Sequence, residues 1–301
     1  MIYWLSYLYF PAAPLLIWAM FKFRHWALRA ILIMLLVGIS TLAYARFIEP
    51  RILLVSEHDI HIQRCVAEGA SARIALFSDT HIGKFGNAMP VTRIAAKIRK
   101  IDPDIALVAG DLTYHIDPDR VGDTFAPLLD VGAPTYLVLG NHDVGFPGPD
   151  YGDDLTLRLR AVGLSVIDNQ RRELQINGQP WELIGLSDQW EGKQEYSLVS
   201  PPMSMPRILL THNPETAWLL PNDSVDLLTA GHTHGGQIFL TEPVTCALAP
   251  IACNLKRVGL AETDAGKVFV TSGTGMVGLP MRFGVPPTIH VLNVTLPTCE
   301  T

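Results

Sequence analysis

Five short polar clusters in this chain carry side chains able to bind metal ions. They are Asp79-Thr80-His81, Gly110-Asp111, Gly140-Asn141-His142-Asp143, Thr211-His212-Asn213 and Gly231-His232-Thr233-His234. Taken singly, each has a plain alternative. Gly-Asp is an ordinary turn, Asn-His-Asp can be a loop or a helix cap, and a lone histidine is usually structural. Together they say more, because each follows an apolar run that reads as a strand. Ligand sites in open α/β sheets form outside the carboxyl ends of the strands.

The residue types fit phosphoester chemistry. A phosphate ester resists attack because its oxygens repel an incoming hydroxide. Two divalent ions a few ångströms apart acidify a water between them and neutralise the phosphoryl oxygens. Holding two cations that close requires a bridging carboxylate. Asp111 is the candidate, since its cluster supplies one acidic side chain and no other ligand. Mixed oxygen and imidazole ligation suits Mn, Fe or Zn better than Ca, with Mg as an alternative.

In order, the clusters spell DxH, GD, GNHD, H and GHxH over Asp79 to His234. This series resembles the calcineurin-like metallophosphoesterase superfamily, whose fold is a four-layer αββα sandwich. The resemblance implies that Asp79, His81 and His234 bind one metal, that Asn141, His212 and His232 bind a second, and that Asp111 bridges them. It makes His142 a leaving-group residue rather than a ligand, oriented by a hydrogen bond to Asp143, with a metal-bridging hydroxide attacking phosphorus in line. Two further stretches, GHTHGGQIF at Gly231–Phe239 and GLPMRFGVPP at Gly278–Pro287, resemble a membrane-tethered subgroup. That subgroup includes transmembrane proteins with a metallophosphoesterase domain and enzymes that cleave the pyrophosphate of UDP-2,3-diacylglucosamine. The similarity runs from about Glu57 to Leu296. It departs at Thr288, where the subgroup often has Glu, without touching an expected ligand.

The expected activity is therefore hydrolysis of a phosphodiester or pyrophosphate, such as UDP-2,3-diacylglucosamine or another membrane-associated substrate. The alternatives are a catalytically silent interaction protein of the same fold and a protein phosphatase. Arg282 is a candidate substrate contact, because guanidinium matches phosphate geometry; a salt-bridged arginine is the other reading. The apolar stretches Val244–Cys253 and Met276–Met281 either wall the site or pack in the core. His25, His58, His61 and His290 have no expected role, and His115 is not expected to bind metal.

The elements that must position these groups fall into two parts. The chain has 301 residues, of which 17% are charged. Mean hydropathy is +0.24, with much of the apolar excess before Glu49. Residues 1–48 read as a membrane anchor of two helices, about 2–21 and 26–45, and residues 49–301 as the catalytic domain. Each run approaches the roughly 20 residues needed to cross a bilayer. Tyr3, Trp4, Trp26 and Tyr44 lie near the ends, as an aromatic belt would. A cleaved signal peptide would need basic residues before the apolar run, and none precedes Lys22. Lys22, Arg24 and Arg29 in the connection place it in the cytoplasm, so the catalytic domain faces outward, to the periplasm if the membrane is a bacterial inner membrane. Arg46, Arg51 and Arg64 partly cancel that bias.

Beyond the anchor, Arg73–Phe77, Ile105–Ala109, Thr135–Leu139, Ile208–Leu210, Val225–Thr229, Val268–Val270 and Ile289–Leu296 read as strands. Val91–Lys100 and Leu155–Val162 read as helices, giving a layered α/β domain. Net charge is −6 with no basic block, which excludes a nucleic-acid surface. The expected partners are the lipid bilayer and a small-molecule or lipid-linked phosphoester, with no obligate protein partner implied. The four cysteines form no zinc pattern. Cys246 and Cys253 are read either as a bridge or as two buried thiols.

Overall fold

The computed structural model describes residues 2–85, 88–148 and 150–299, with only the backbone of Ile2 and Tyr3. Tyr3 as a belt residue therefore lies outside the described side chains. The amino-terminal part is a helical hairpin. Helix α1 (Ile2–Leu5) passes through a 3-10 turn at Ser6–Leu8 into α2 (Tyr9–Lys22), and α3 (Trp26–Ala43) returns. The break at Ser6–Leu8 has a cause in Pro11, which has no N–H and whose ring crowds the carbonyl four residues earlier. The Arg29 guanidinium turns back on the end of α2, donating from Nε to the carbonyls of Met20 (3.1 Å) and Phe23 (2.8 Å). A cation capping the last carbonyls stabilises that helix end, so Arg29 ties the two helices together.

Helix α3 runs on through a wide turn at Tyr44–Ile48 and a 3-10 turn at Glu49–Arg51. The stretch Trp26–Arg51, 26 residues long, is the one helix among the described residues that is long and apolar enough to cross a membrane. The outer faces of both helices are unpacked, with Phe21 81% and Met34 65% exposed. An apolar surface this extended needs lipid or protein against it. Tyr7 and Phe10 pack on Phe47 at ring separations of 5.4 and 5.5 Å. The start of the hairpin thus lies beside its exit into the domain.

The rest is built on strands β1 (Leu54–His61), β2 (Ala70–Phe77), β3 (Ile82–Gly83), β4 (Ile105–Ala109), β5 (Thr113–Tyr114), β6 (Thr135–Val138) and β7 (Ser165–Val166), then β8 (Gln170–Ile176), β9 (Gln179–Gly185), β10 (Arg207–Leu210), β11 (Leu227–Ala230), β12 (Gly259–Thr263), β13 (Gly266–Val270) and β14 (Thr288–Leu296). They form two six-stranded sheets, β1-β14-β2-β4-β6-β7 and β12-β13-β11-β10-β9-β8, with β3 and β5 as a small third pair. The strands that end at the polar clusters, β2, β4 and β6 in one sheet and β10 and β11 in the other, pair in parallel within their sheets. Their carboxyl ends therefore share an edge.

Both faces of the central strands are covered, which is why they read as continuous apolar runs. Ile74, Leu76 and Leu107 from the first sheet meet Trp181, Ile208 and Leu210 from the second. On the outer face of the first sheet, Phe77, Val108 and Leu137 pack against helices α4 (Val91–Ile101), α5 (Val121–Phe125) and α6 (Gly152–Ala161). Each fully buried aliphatic side chain contributes about 1.5–3 kcal/mol. The outer cover of the second sheet is thinner. Ile184, Leu209 and Leu228 are closed over by Val199 and Ala217 from two 3-10 turns rather than by long helices. The helix α7 (Glu242–Leu248) stands apart, beyond β11.

All four cysteines are paired, Cys246 with Cys253 and Cys65 with Cys299. The first settles the two readings of that pair as a bridge. The second joins residues 234 apart and closes the loop after β1 onto the segment after β14.

Candidate metal centre

The loops after β2, β4, β6, β10 and β11 converge on one buried spot. Asp79, His81, Asp111 and His234 bring one ligand atom each within 4.8 Å of one another, and so do Asp111, His212 and His232. Asp111 belongs to both groups. His81 Nε2 lies 3.4 Å from Asp111 Oδ2, and His212 Nε2 lies 3.3 Å from the same oxygen on the other side. His234 Nε2 is 3.4 Å from Asp79 Oδ1 and 2.9 Å from His81 Nε2. In the second group, His212 Nε2 is 3.0 Å from His232 Nδ1 and 3.0 Å from Asn141 Oδ1.

These distances require local backbone that few residues adopt. Asp79, His81, Asp111, His232 and His234 have φ of 51°, 42°, 52°, 70° and 50°. Asp and His tolerate the left-handed region better than most side chains, but each such residue still costs about 1–3 kcal/mol. Strain repeated at five clustered polar residues is the mark of a functional site. The glycines that open two of the clusters are explained by close approach. A Cβ on Gly140 would stand 2.3 Å from Asp111 Oδ1, and one on Gly110 2.6 Å from His212 Nδ1.

Second partners aim the ligand atoms. His212 Nδ1 donates to the carbonyl of Ala109 at 2.8 Å, which leaves Nε2 as the ring atom that faces the cluster. Ser78 donates to Asp79 Oδ2, and the amide of His232 donates to Asp79 Oδ1 at 3.2 Å. The Asn141 amide donates to the Phe146 carbonyl, turning its Oδ1 inward.

The electrostatics suit cations. Burial pushes the Asp79 carboxyl up to about 7, while it pushes His81 and His232 down to about 3 and His234 well below its usual range. Burial would raise Asp111 also, but the imidazoles of His212 and His81 overcome it and hold its carboxyl well below the carboxylate range. His212 is shifted the opposite way: burial lowers it, but Asp111 beside it raises it well above normal. The neutral imidazoles of His81, His232 and His234 beside buried carboxylates fit divalent metal ions, which favour charged carboxylates and neutral imidazoles at once and would take the place of the proton that Asp111 holds on His212.

His142 sits at the rim. Its amide donates to Asp111 Oδ1 at 2.9 Å, and its ring stands edge-on to His81 (5.0 Å) and Tyr114 (5.1 Å). Its Nδ1 has no partner, and burial lowers its pKa.

Two expected roles are not what the geometry shows. Asp143 does not reach His142. Its carboxylate accepts from the amides of Leu112 (3.0 Å), Thr113 (2.9 Å) and Gly140 (3.1 Å) and from the Thr113 hydroxyl (2.8 Å). It therefore locks the Asp111 loop to the Asn141 loop. Arg282 is fully buried and has no face toward a substrate. Its Nε, Nη1 and Nη2 donate to the carbonyls of Gly275 (2.7 Å), Val285 (2.9 Å) and Ser272 (3.1 Å), and Nη2 lies 3.5 Å from His234 Nδ1. It is a post behind His234. His115 is exposed.

One residue escaped notice in the sequence. Asp188 follows β9 as the clusters follow their strands. It is fully buried, accepts from the Trp190 amide at 2.8 Å, and leaves Oδ2 unpartnered. Trp190 stands edge-on to His232 at 4.8 Å. An acidic residue just past an apolar strand was the available signal.

With this geometry, the chain belongs to the calcineurin-like phosphoesterase family, whose sequence profile matches residues 72–236. It is a metal-dependent phosphoesterase. Among similar proteins, an uncharacterized metallophosphoesterase, YkuE of Bacillus subtilis, is 29% identical, over 83% of this chain and 88% of that protein. The phosphodiesterase YaeI of Escherichia coli is 27% identical, over 85% and 93%. A transmembrane protein with metallophosphoesterase domain from Danio rerio is 26% identical, over 80% of this chain and 57% of its own length.

Proposed function

We propose that the chain is a membrane-anchored, two-metal hydrolase of phosphodiesters or pyrophosphates, working on the outer face of its membrane. The observation that carries this reading is the sharing of Asp111 between two ligand groups. Asp79, His81 and His234 would hold one ion, Asn141, His212 and His232 the other, and Asp111 both. The ions, with Mn, Fe or Zn favoured by the mixed donor set, would neutralise the phosphoryl oxygens and acidify a water.

This chain's own residues do the rest. Asp143 fixes the two loops that bear Asp111 and Asn141. His142, half-buried at the rim of the cluster with its buried Nδ1 unpaired, would stabilise or protonate the leaving-group oxygen. The completeness of the ligand set argues against a silent member of the fold.

The disulfides support placing the domain on the outer side of the membrane. Two bridges among four cysteines fit an oxidising compartment, in agreement with the basic connection between the helices. UDP-2,3-diacylglucosamine is made in the cytoplasm, so this placement favours a different substrate from that of the UDP-lipid enzymes.

The test uses the full chain in detergent, supplied with Mn and a chromogenic phosphodiester. EDTA should abolish turnover. His142→Asn should lower kcat by about 10²–10⁴ while metal content stays at the wild-type level. Parallel loss of metal and turnover in that variant would make His142 a ligand and sink its assignment here.

A further inference from the structure

A cavity of about 330 Å³ opens directly beside His232 and His234. Apart from Thr233 and Gln237, its other walls are mainly apolar, with Ile238, Leu248, Ile251, Val277 and Leu279. These side chains are not core. Leu248 is 70% exposed and Leu279 39%. A volume of this size falls in the range of ligand-binding cavities, and an open apolar trough ending on metal-binding histidines has no packing function.

The trough is built rather than incidental. One wall is α7 and the following 3-10 turn Pro250–Cys253, closed on each other by the Cys246–Cys253 bridge. The other is the loop 277–281. The buried Gln237 ties that loop down: Nε2 donates to the carbonyls of Val277 (3.0 Å) and Leu279 (2.9 Å), and Oε1 accepts from the Val277 amide (2.8 Å). A preorganised wall spares a ligand the cost of ordering it.

The loop also leads to the membrane part. Two residues past Leu279, Met281 lines a second apolar cleft with Leu8, Ile39 and Leu42 of the hairpin. The Arg282 amide donates to the carbonyl of Ala45 (2.9 Å), and the Val285 amide donates to Glu49 Oε1 (2.8 Å). Apolar surface thus runs from the lipid-facing helices, over the 279–281 loop, to the metal ligands.

We propose that this trough holds one acyl chain of a membrane lipid phosphoester, its phosphoryl group on the metal centre and its tail directed toward the hairpin. The proposal rests on the phosphoesterase reading above and names its substrate class. Continuity with the anchor selects a lipid over a soluble nucleotide.

The test compares ethyl phosphate with dodecyl phosphate, each titrated calorimetrically into the metal-loaded full chain in lipid nanodiscs. Dodecyl phosphate should bind at least about tenfold tighter, given the burial of several methylenes. In the double variant Leu248→Asn/Leu279→Asn that ratio should fall by about fivefold or more. In Leu157→Asn, an exposed site on α6, it should keep its wild-type value. The same ratio in wild type and double variant would show that the chain gains only by partitioning into the bilayer, and would overturn the proposal. So would equal affinity for the two phosphates in the wild type. If dodecyl phosphate binds with the predicted variant dependence while ethyl phosphate shows no EDTA-sensitive binding, the trough stands and the metal-centre reading falls. Binding of neither removes both.

Discussion

At the scale of single residues, the seven side chains singled out by their spacing are brought together in one cluster. They sit one step beyond apolar strands, and strand ends in a parallel sheet share an edge. That logic reaches Asp79, Asp111 and His212 without any knowledge of side-chain contacts. It fails for Arg282 and Asp143, whose types are right for catalysis but whose partners are mostly backbone groups. Nothing in a sequence shows that the carbonyls of Gly275, Val285 and Ser272 will consume a guanidinium. A consequence can be measured. Arg282→Lys keeps a charge but not the fork that reaches several carbonyls. Unfolding free energy should drop by about 2–4 kcal/mol, as expected when buried polar groups lose their partners. KM for a chromogenic phosphodiester should stay within about twofold. A large rise in KM with unchanged stability would restore Arg282 as a substrate contact.

At the scale of elements, the central strands were legible because burial on both faces makes them apolar throughout. β8 was not, because its exposed face is polar and it carries Arg171, Arg172 and Glu173. The thin outer cover of the second sheet was also hidden, since 3-10 turns have no long apolar period to read. The hairpin was legible in outline, but its first helix is interrupted near Pro11 and its second runs longer than the apolar run suggested. Cys65 and Cys299 gave no sign of pairing, because 234 residues separate them and only the fold brings β1 and β14 together. The anchor makes a prediction at this scale. A carboxyl-terminal alkaline phosphatase fusion should be active and a green fluorescent protein fusion dark, as fits two helices with the domain outside. A bright fluorescent fusion would place the domain in the cytoplasm and return UDP-linked lipids to consideration.

At the scale of the whole molecule, three structures meet at one place. The two sheets supply the ligands, and the loop 275–288 holds His234 from behind through Arg282. The hairpin grips that same loop at Ala45 and Glu49. The anchor is thus joined to the metal centre through one segment, and the site's exposed flank is the apolar trough beside it. All of this depends on two metal ions sharing one carboxylate. The most direct test is metal content, measured by mass spectrometry on the full chain after loading with Mn and removal of excess, in wild type and Asp111→Asn. The account predicts two equivalents in the wild type, loss at both positions in the variant, and a fall in phosphodiester turnover of at least about a hundredfold. A variant that keeps its metal and its turnover would contradict it.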